Sequence, residues 1–456
     1  MSDILATLLG IAIFVVVIAL SIGLHEFGHF ATAKRFGVKV TEFMIGFGPK
    51  IWGKSKGETT YGLKAIPVGG YVRIVGMYPP SPAVTRPASD PDSPHADEAA
   101  SADSGGPFAS LIADARAQSM AEITPGDEDR VFYRLSIPRR MAVMLAGPGM
   151  NLVLAFVLFA IVLVGVGLPT TQTTVREVVP CVPSPTSPLG EPIGGGGCAA
   201  DSEPSPAVDA DIAPGDNIVG VDGTPVDTWD ELTGELEGLQ VGSTAVFDVE
   251  RGERVFSTVA VVALARYPIV DADGAQTGEI EERPFLGIRP DSSFEPLPLS
   301  AVPGFMWDIT VSSVEALISL PARLWDLTVT MFTGGERDID GPVSVVGVSR
   351  LGGEIAAAEQ PLMAKVGTFL ALAASLNLFL FLFNLIPLLP LDGGHVAAAG
   401  YEGVRRRIAE ARGRPDPGPV DTVRMLPVTY AVASVLLISG LIVIWADLVK
   451  PITLGT

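Results

Sequence analysis

Residues 4–29 read ILATLLGIAIFVVVIALSIGL-HEFGH, and the architecture of the chain follows from that stretch. Ile4–Leu24 carries no charge, and about 20 helical residues cross the roughly 30 Å of a bilayer's hydrocarbon. The run then meets His25-Glu26-Phe27-Gly28-His29, an H-E-x-x-H. On a helix, positions i and i+4 share one face, so both imidazoles can reach one cation while Glu26 lies beside its bound water. Ionisable groups at that depth cost about 2–3 kcal/mol each to insert and mark function.

Three further stretches are long and uncharged enough to span: Met141–Leu168, Val366–Leu391 and Met425–Ala446. The whole composition agrees. Hydrophobic residues make up 48% of the 456 and charged ones 18%, with a mean hydropathy of +0.41. The formal charge is −20, which argues against nucleic acid as a partner. Two cysteines and four histidines exclude a disulfide scaffold, an iron–sulfur protein and a zinc-ribbon array. Ile4–Leu24 lacks the basic start and small-residue cleavage site of a signal peptide. A fifth apolar region, Pro303–Phe332, is interrupted by Asp308, Glu315, Arg323 and Asp326 and reads as amphipathic helices on the membrane surface.

Basic residues set the orientation. Lys34, Arg35 and Lys39 follow the first span, Arg134, Arg139 and Arg140 precede the second, and Arg405–Arg407, Arg412, Arg414 and Arg424 crowd the loop between the third and fourth. Both loops are therefore expected in the cytoplasm, with both termini and the segment around 170–365 outside a multi-pass cell-membrane protein. Cys181 and Cys198 fall in that outer segment, where a disulfide is permitted and two free thiols are the other reading.

The segments divide as follows. Residues 1–77 hold the first span and, at Tyr61–Met77, a pattern that reads as a hairpin around Gly69-Gly70, apolar enough to associate with the membrane. Residues 78–130, rich in Pro, Ala, Ser, Asp and Glu and including His95, read as a disordered acidic cytoplasmic insertion. The second span belongs to 131–169. Within 170–295, a strand at Asn217–Val221 leads to a turn at Asp222-Gly223 and a helix capped at Asp227 or Thr228. Thr228 with Glu231 makes a capping box, and Trp229, Leu232, Leu236 and Leu239 recur at helical spacing. Strands follow at Thr244–Val249 and Val255–Leu264, with a turn at Arg251-Gly252. The surface helices take 296–365, the third span 366–400, and the basic loop and fourth span 401–456.

A catalytic zinc wants three protein ligands and one open position. The third span ends Asn384-Leu-Ile-Pro387-Leu-Leu-Pro390-Leu-Asp392-Gly393-Gly394-His395, where two prolines and two glycines should unwind the backbone. Asp392 matches the depth of His25 and His29; His395, three residues on, remains a rival ligand on spacing alone.

H-E-F-G-H on one span with N-x-x-P-x-x-P-L-D-G-G on another resembles the bacterial branch of the site-2 protease family, intramembrane zinc metalloproteases with a PDZ domain. The run DIAPGDNIVGVDGTPV resembles a permuted PDZ domain, Ile66–Val72 the family's glycine-rich membrane-associated hairpin, and Gly147-Pro148-Gly149-Met150-Asn151 its G-P-x-x-N. The resemblance implies a multi-pass α-helical membrane protein of four transmembrane helices, with an extracytoplasmic permuted PDZ α+β domain and a membrane-associated β-hairpin. It implies Zn2+ on His25, His29 and Asp392, Glu26 as general base, and Asn384, Pro387, Gly69, Gly70 and Asn151 at the substrate. The implied substrates are single-span membrane proteins already trimmed outside, such as anti-sigma factors or remnant signal peptides, cleaved within the bilayer near its cytoplasmic side. A peptide or substrate ectodomain would meet the PDZ domain. Two other classes compete: a catalytically inactive membrane-tethered PDZ scaffold, opposed by the intact Glu26, and a metal transporter, opposed by a single cluster of ligands.

Overall fold

The computed structural model describes residues 3–80, 108–182, 203–270, 276–335, 337, 338, 341–358 and 360–452. The chain divides into two compact units, 1–162 with 298–456, and 163–297.

The first unit is helical. Among the described residues, four helices are long and apolar enough to cross a membrane: α1 (Asp3–Arg35), α3 (Ile137–Ile161, continuing as a π turn to Val166), α7 (Leu362–Asn384) and α9 (Leu426–Val449). Lys34 and Arg35 lie in the last turn of α1, where cations suit the helix dipole. Leu8, Val16 and Leu20 of α1 and Leu437, Ile438 and Leu441 of α9 are more than half exposed, as side chains facing lipid must be. α7 stops at Asn384, seven residues earlier than the apolar run does. Pro387 and Pro390 cannot donate to a continuing ladder, and the chain turns through 385–391 before α8 (Asp392–Ala411) begins at Asp392. The expected unwinding is there, but the basic loop is partly helical, because α8 runs on to Ala411.

Between α1 and α3 lie β1 (Val40–Lys56) and β2 (Thr59–Ile74), a two-stranded sheet. The chain reverses at Gly57-Glu58, with Gly57 at φ +64°, and again between Leu63 and Gly70, because 60–63 run parallel to 42–45 and 70–73 run antiparallel to the same residues. Gly69 and Gly70 stand at the end of that second reversal and also allow close packing. A Cβ on Gly69 (φ +113°) would run into the Phe47 ring, and one on Gly70 would come within 3.0 Å of Glu26 Cγ. Gly69 thus serves both a positive-φ backbone and a close approach, and Gly70 the close approach alone. Residues 42–45 of β1 are flanked by 73–70 on one side and 60–63 on the other. Phe30 of α1 stacks against Phe43 and Tyr61 at ring-centroid distances of 5.5 and 5.7 Å, fixing the sheet to the helix.

Residues 108–130, expected to be disordered, are ordered in part. α2 (Ala109–Ala121) is a helix, and the loop after it is tied down by Lys39 on Asp127 at 2.5 Å. Arg116 of α2 reaches Asp421 Oδ2 at 2.7 Å, 305 residues along the chain. A polar, alanine-rich helix shows little apolar periodicity, and its anchors are remote in sequence. His95 lies outside the described residues. The region expected to hold several surface helices is one 32-residue helix, α5 (Val302–Thr333), with Pro321 inside it; its Leu327 and Met331 pack on Val443 and Ala446 of α9. α6 (Val345–Ala357) follows, capped by Ser344.

The second unit is a sheet with a helix against it. β3 (Leu168–Val178), β4 (Asn217–Val221), β6 (Thr244–Arg251), β7 (Arg254–Val261) and β10 (Ile288–Glu295) lie in the order β10-β3-β4-β6-β7, with β5 (Thr224–Pro225) on β4. β8 (Ala263–Val270) and β9 (Gln276–Phe285) form a separate ribbon. α4 (Trp229–Glu237) opens with both hydrogen bonds of the Thr228–Glu231 capping box. Its Leu232 and Leu236 enter a core with Ile218, Val221, Phe247 and Val249. Strand, turn, cap and helix fall where the sequence placed them, since each rests on local chemistry. Cys181 is disulfide-bonded; Cys198, the only other cysteine, lies outside the described residues.

Candidate metal centre

His25 and His29 sit two turns before the end of α1, one turn apart on one face. Asp392, the first residue of α8, meets them from the other side of the site. Its Oδ2 lies 3.2 Å from His25 Nε2 and 3.3 Å from His29 Nε2, and the two Nε2 atoms are 3.2 Å apart. Zinc bonds of about 2.0–2.1 Å at tetrahedral angles separate neighbouring donors by about 3.3–3.4 Å. The triangle thus has the edges that one face of a zinc tetrahedron requires, leaving a fourth vertex for water. Asp392 Oδ2 is buried with no hydrogen-bond donor among the described residues, a costly arrangement unless a cation completes it.

The other ring nitrogens are held from behind by α3. His29 Nδ1 donates to the Val143 carbonyl oxygen at 2.8 Å, which leaves Nε2 with its lone pair free for a metal. His25 Nδ1 lies 3.3 Å from Asn151 Nδ2, while Asn151 Oδ1 is buried with no hydrogen-bond partner among the described residues, and a 180° rotation of the amide would bring that oxygen to the ring. With the amide oxygen turned to the ring, Asn151 accepts the Nδ1 proton and presents His25 Nε2 in the same way. Sequence reasoning gave Asn151 a substrate contact; here it stands behind a histidine.

Two glycines, Gly147 of the G-P-x-x-N and Gly28 at a variable position of the H-E-x-x-H, allow α3 this close. A Cβ on Gly147 would overlap the His29 imidazole, and one on Gly28 would overlap the Ala146 carbonyl and the Met150 side chain. On the opposite wall, Cβ atoms on Gly393 and Gly394 would overlap the backbone of 385–389, so the broken segment can fold over the start of α8. α8 is locked to α3 by Arg140 Nη2 on Glu402 Oε1 at 2.5 Å, with Glu402 Oε2 accepting from Val420 N at 3.1 Å.

Glu26 projects next to the ligand face, interacts electrostatically with all three donors, and packs against Gly70 of β2. His395, the rival ligand, is outside the donor group; it lines a cavity of about 30 Å³ with Arg140, Met144 and Glu402. Asn384 donates to the Leu380 carbonyl at 2.9 Å at the end of its own helix, and Pro387 is exposed, so neither touches the donor group. Gly28 was the residue that sequence reasoning missed; its only signal was a glycine inside an otherwise favourable helix.

Membrane-crossing helices that bring an H-E-x-x-H and a distant aspartate to one tetrahedral face define an intramembrane zinc metalloprotease. Residues 13–415 match peptidase family M50, and the chain belongs to that family, the site-2-type zinc metalloproteases, with Zn2+ as cofactor. Zinc metalloprotease Rip1 of Mycobacterium bovis (strain BCG / Pasteur 1173P2) is 33% identical over 455 residues, 98% of each chain. Rip1 of Mycolicibacterium smegmatis is 33% identical over 457 residues, again 98% of each. Zinc metalloprotease RasP of Shouchella clausii is 25% identical over 475 residues, 96% of this chain and 98% of its own. Among solved structures, a PDZ domain of an SdrC-like protein from Listeria monocytogenes aligns with 26% of this chain and 90% of its own, at 19% identity and a TM-score of 0.15.

Proposed function

We propose that His25, His29 and Asp392 hold the zinc of this protease and that Glu26 is its general base. The observation that carries the reading is the donor triangle of 3.2–3.3 Å edges around an otherwise unpartnered carboxylate oxygen. Bound zinc supplies a Lewis acid that makes water nucleophilic near neutral pH and polarises the scissile carbonyl. Glu26 takes the proton of the attacking water and returns it to the leaving amide nitrogen. Val143 and Asn151 keep the histidine protons on the far side of each ring. The helical substrate must unwind before its carbonyl can be attacked, and the edge of β2 beside Glu26 offers main-chain partners for the extended form.

The substrates on this reading are single-span membrane proteins trimmed beforehand on the outer side, anti-sigma factors among them. The basic loops face the cytoplasm, the termini and the 163–297 unit lie outside, and β1–β2 dips into the membrane. The Cys181 disulfide supports the outer placement, since disulfides persist in oxidising compartments. The order of strands and capped helix in that unit supports a permuted PDZ domain, which would meet a peptide or exclude a bulky ectodomain. Glu26→Gln tests the chemistry: it should retain zinc and fold while losing cleavage of a trimmed single-span substrate by a factor of about 100 or more. Normal turnover in that variant would end the assignment of Glu26.

A further inference from the structure

The last part of β1 carries charge where the fold leads it towards lipid. Residues 52–56 pair with 63–59 of β2, and 60–63 lie in turn against 42–45, so 52–56 form the outer edge of the sheet, away from the Gly70 side that packs on Glu26. One end of this outer strand is level with the end of α1, since Glu58 in the turn accepts from Lys34. The other end lies deeper. Trp52 pairs with Leu63 and Leu63 with Ile45, and a Cβ on Gly23 of α1 would come within 3.1 Å of Ile45 Cδ1. From Lys34 back to Gly23 the helix rises about 16 Å.

Two kinds of side chain are exposed along that rise. Ile51 and Trp52 are 66% and 56% exposed, an aliphatic and an aromatic group of the sort that sits at a bilayer interface. Beside them stand Lys50, Lys54 and Lys56, all exposed, with Lys64 of β2 directly opposite Lys50. Among the described residues no carboxylate pairs with any of these four: Glu58 is held by Lys34 and Arg130, and Glu42 by Tyr71 and Arg73. Lys64 lies over the Tyr71 ring at 4.7 Å instead. Lys50 folds back along its own strand, because a Cβ on Gly53 would meet its Cδ, Cε and Nζ. Its ammonium is thereby drawn from the deep end towards the turn, the direction in which a lysine in a bilayer snorkels. Like charges opposite one another destabilise a sheet, and a lone cation at membrane depth is costly. An anion from outside the chain relieves both. In a chain of net charge −20 the cluster is a local reversal of sign.

We infer that this outer strand is a docking surface for anionic phospholipid headgroups of the cytoplasmic leaflet: Lys50, Lys54 and Lys56 bind the phosphates, and Trp52 stands among the acyl chains. A zwitterionic headgroup brings its own ammonium and neutralises nothing, so the surface selects lipid of net negative charge. The inference rests on the membrane placement of β1–β2 given above. The same sheet packs on Glu26 through Gly70, so lipid held at the outer edge sets the depth at which the inner edge meets the site.

The test uses the full-length protein in vesicles of phosphatidylcholine and phosphatidylglycerol. A photo-crosslinking residue at position 52 reports its lipid neighbours by adduct mass, without turnover. Each lysine near an anionic surface enriches such lipid about fivefold, so phosphatidylglycerol adducts should predominate strongly in equal mixtures. The triple variant Lys50→Gln/Lys54→Gln/Lys56→Gln should label both lipids alike, and Lys50→Arg/Lys54→Arg/Lys56→Arg should restore the preference. Equal labelling with the lysines in place, or an undiminished preference in the Gln variant, overturns the lipid site. Absence of any lipid adduct refutes the membrane placement of the sheet and the inference with it. With a single-span substrate, kcat/KM should rise about fivefold or more when phosphatidylglycerol replaces part of the phosphatidylcholine, and the Gln variant should not respond. No rise in wild type, or an equal rise in the Gln variant, overturns the link to activity. Failure of wild type to cleave in either vesicle would instead refute the proteolytic reading, while the adducts still decide the lipid site.

Discussion

A single missing methyl group decides how close α3 comes to the zinc ligands. Alanine is a better helix former than glycine by about 1 kcal/mol, so on propensity alone Gly147→Ala should stabilise α3. Packing opposes this, because the new Cβ would occupy the space of the His29 ring. We expect the ring to lose its bond to Val143 and zinc affinity to fall about 10–100-fold, read by competition against a chelator. Unchanged affinity would mean that α3 does not position His29. The ligand motif itself was legible because i,i+4 spacing is local. Gly28 and Gly147 were not legible as packing residues, since a helical glycine reads only as a weak spot until its neighbour in space is known. Asn151 was found for its motif, but nothing in the sequence says that it lies behind His25.

Elements are joined near the β1–β2 turn by charge. Glu58 accepts from Lys34, at the end of α1, and from Arg130, in the loop before α3, at 2.5 and 2.8 Å. These cations, Arg130 foremost, lower the Glu58 pKa from 4.5 to about 2. A carboxyl whose folded pKa is depressed stabilises the fold above its unfolded pKa and loses that contribution as pH falls through the folded value. The melting temperature in detergent should therefore drop between about pH 5 and pH 2, and Glu58→Gln should flatten part of that slope. An unaltered slope would show that the turn contributes nothing to acid stability. The effect is modest because these groups are partly exposed and screened by solvent. The turn at Gly57-Glu58 was hidden in the sequence, because Gly57 stands alone in Lys56-Gly57-Glu58, while the stronger signal at Gly69-Gly70 marks the second reversal. α2 was missed for a related reason, because Arg116 finds its partner Asp421 only once the whole helical unit has assembled.

Across the whole molecule, the spans were legible because hydropathy over 20 residues is a strong signal, and the second unit because caps and turns are local. The convergence of α1 and α8 on one point is a property of neither helix. It needs the break at 385–391, glycines at 393 and 394, and the buried Arg140–Glu402 pair. Asp392→Ala removes one vertex of the donor triangle. The decisive measurement is the zinc content of that variant against wild type, both purified under the same buffered free zinc. The account predicts about one zinc per wild-type chain and a small fraction of that in Asp392→Ala. Zinc content equal to wild type in a folded Asp392→Ala protein would contradict it.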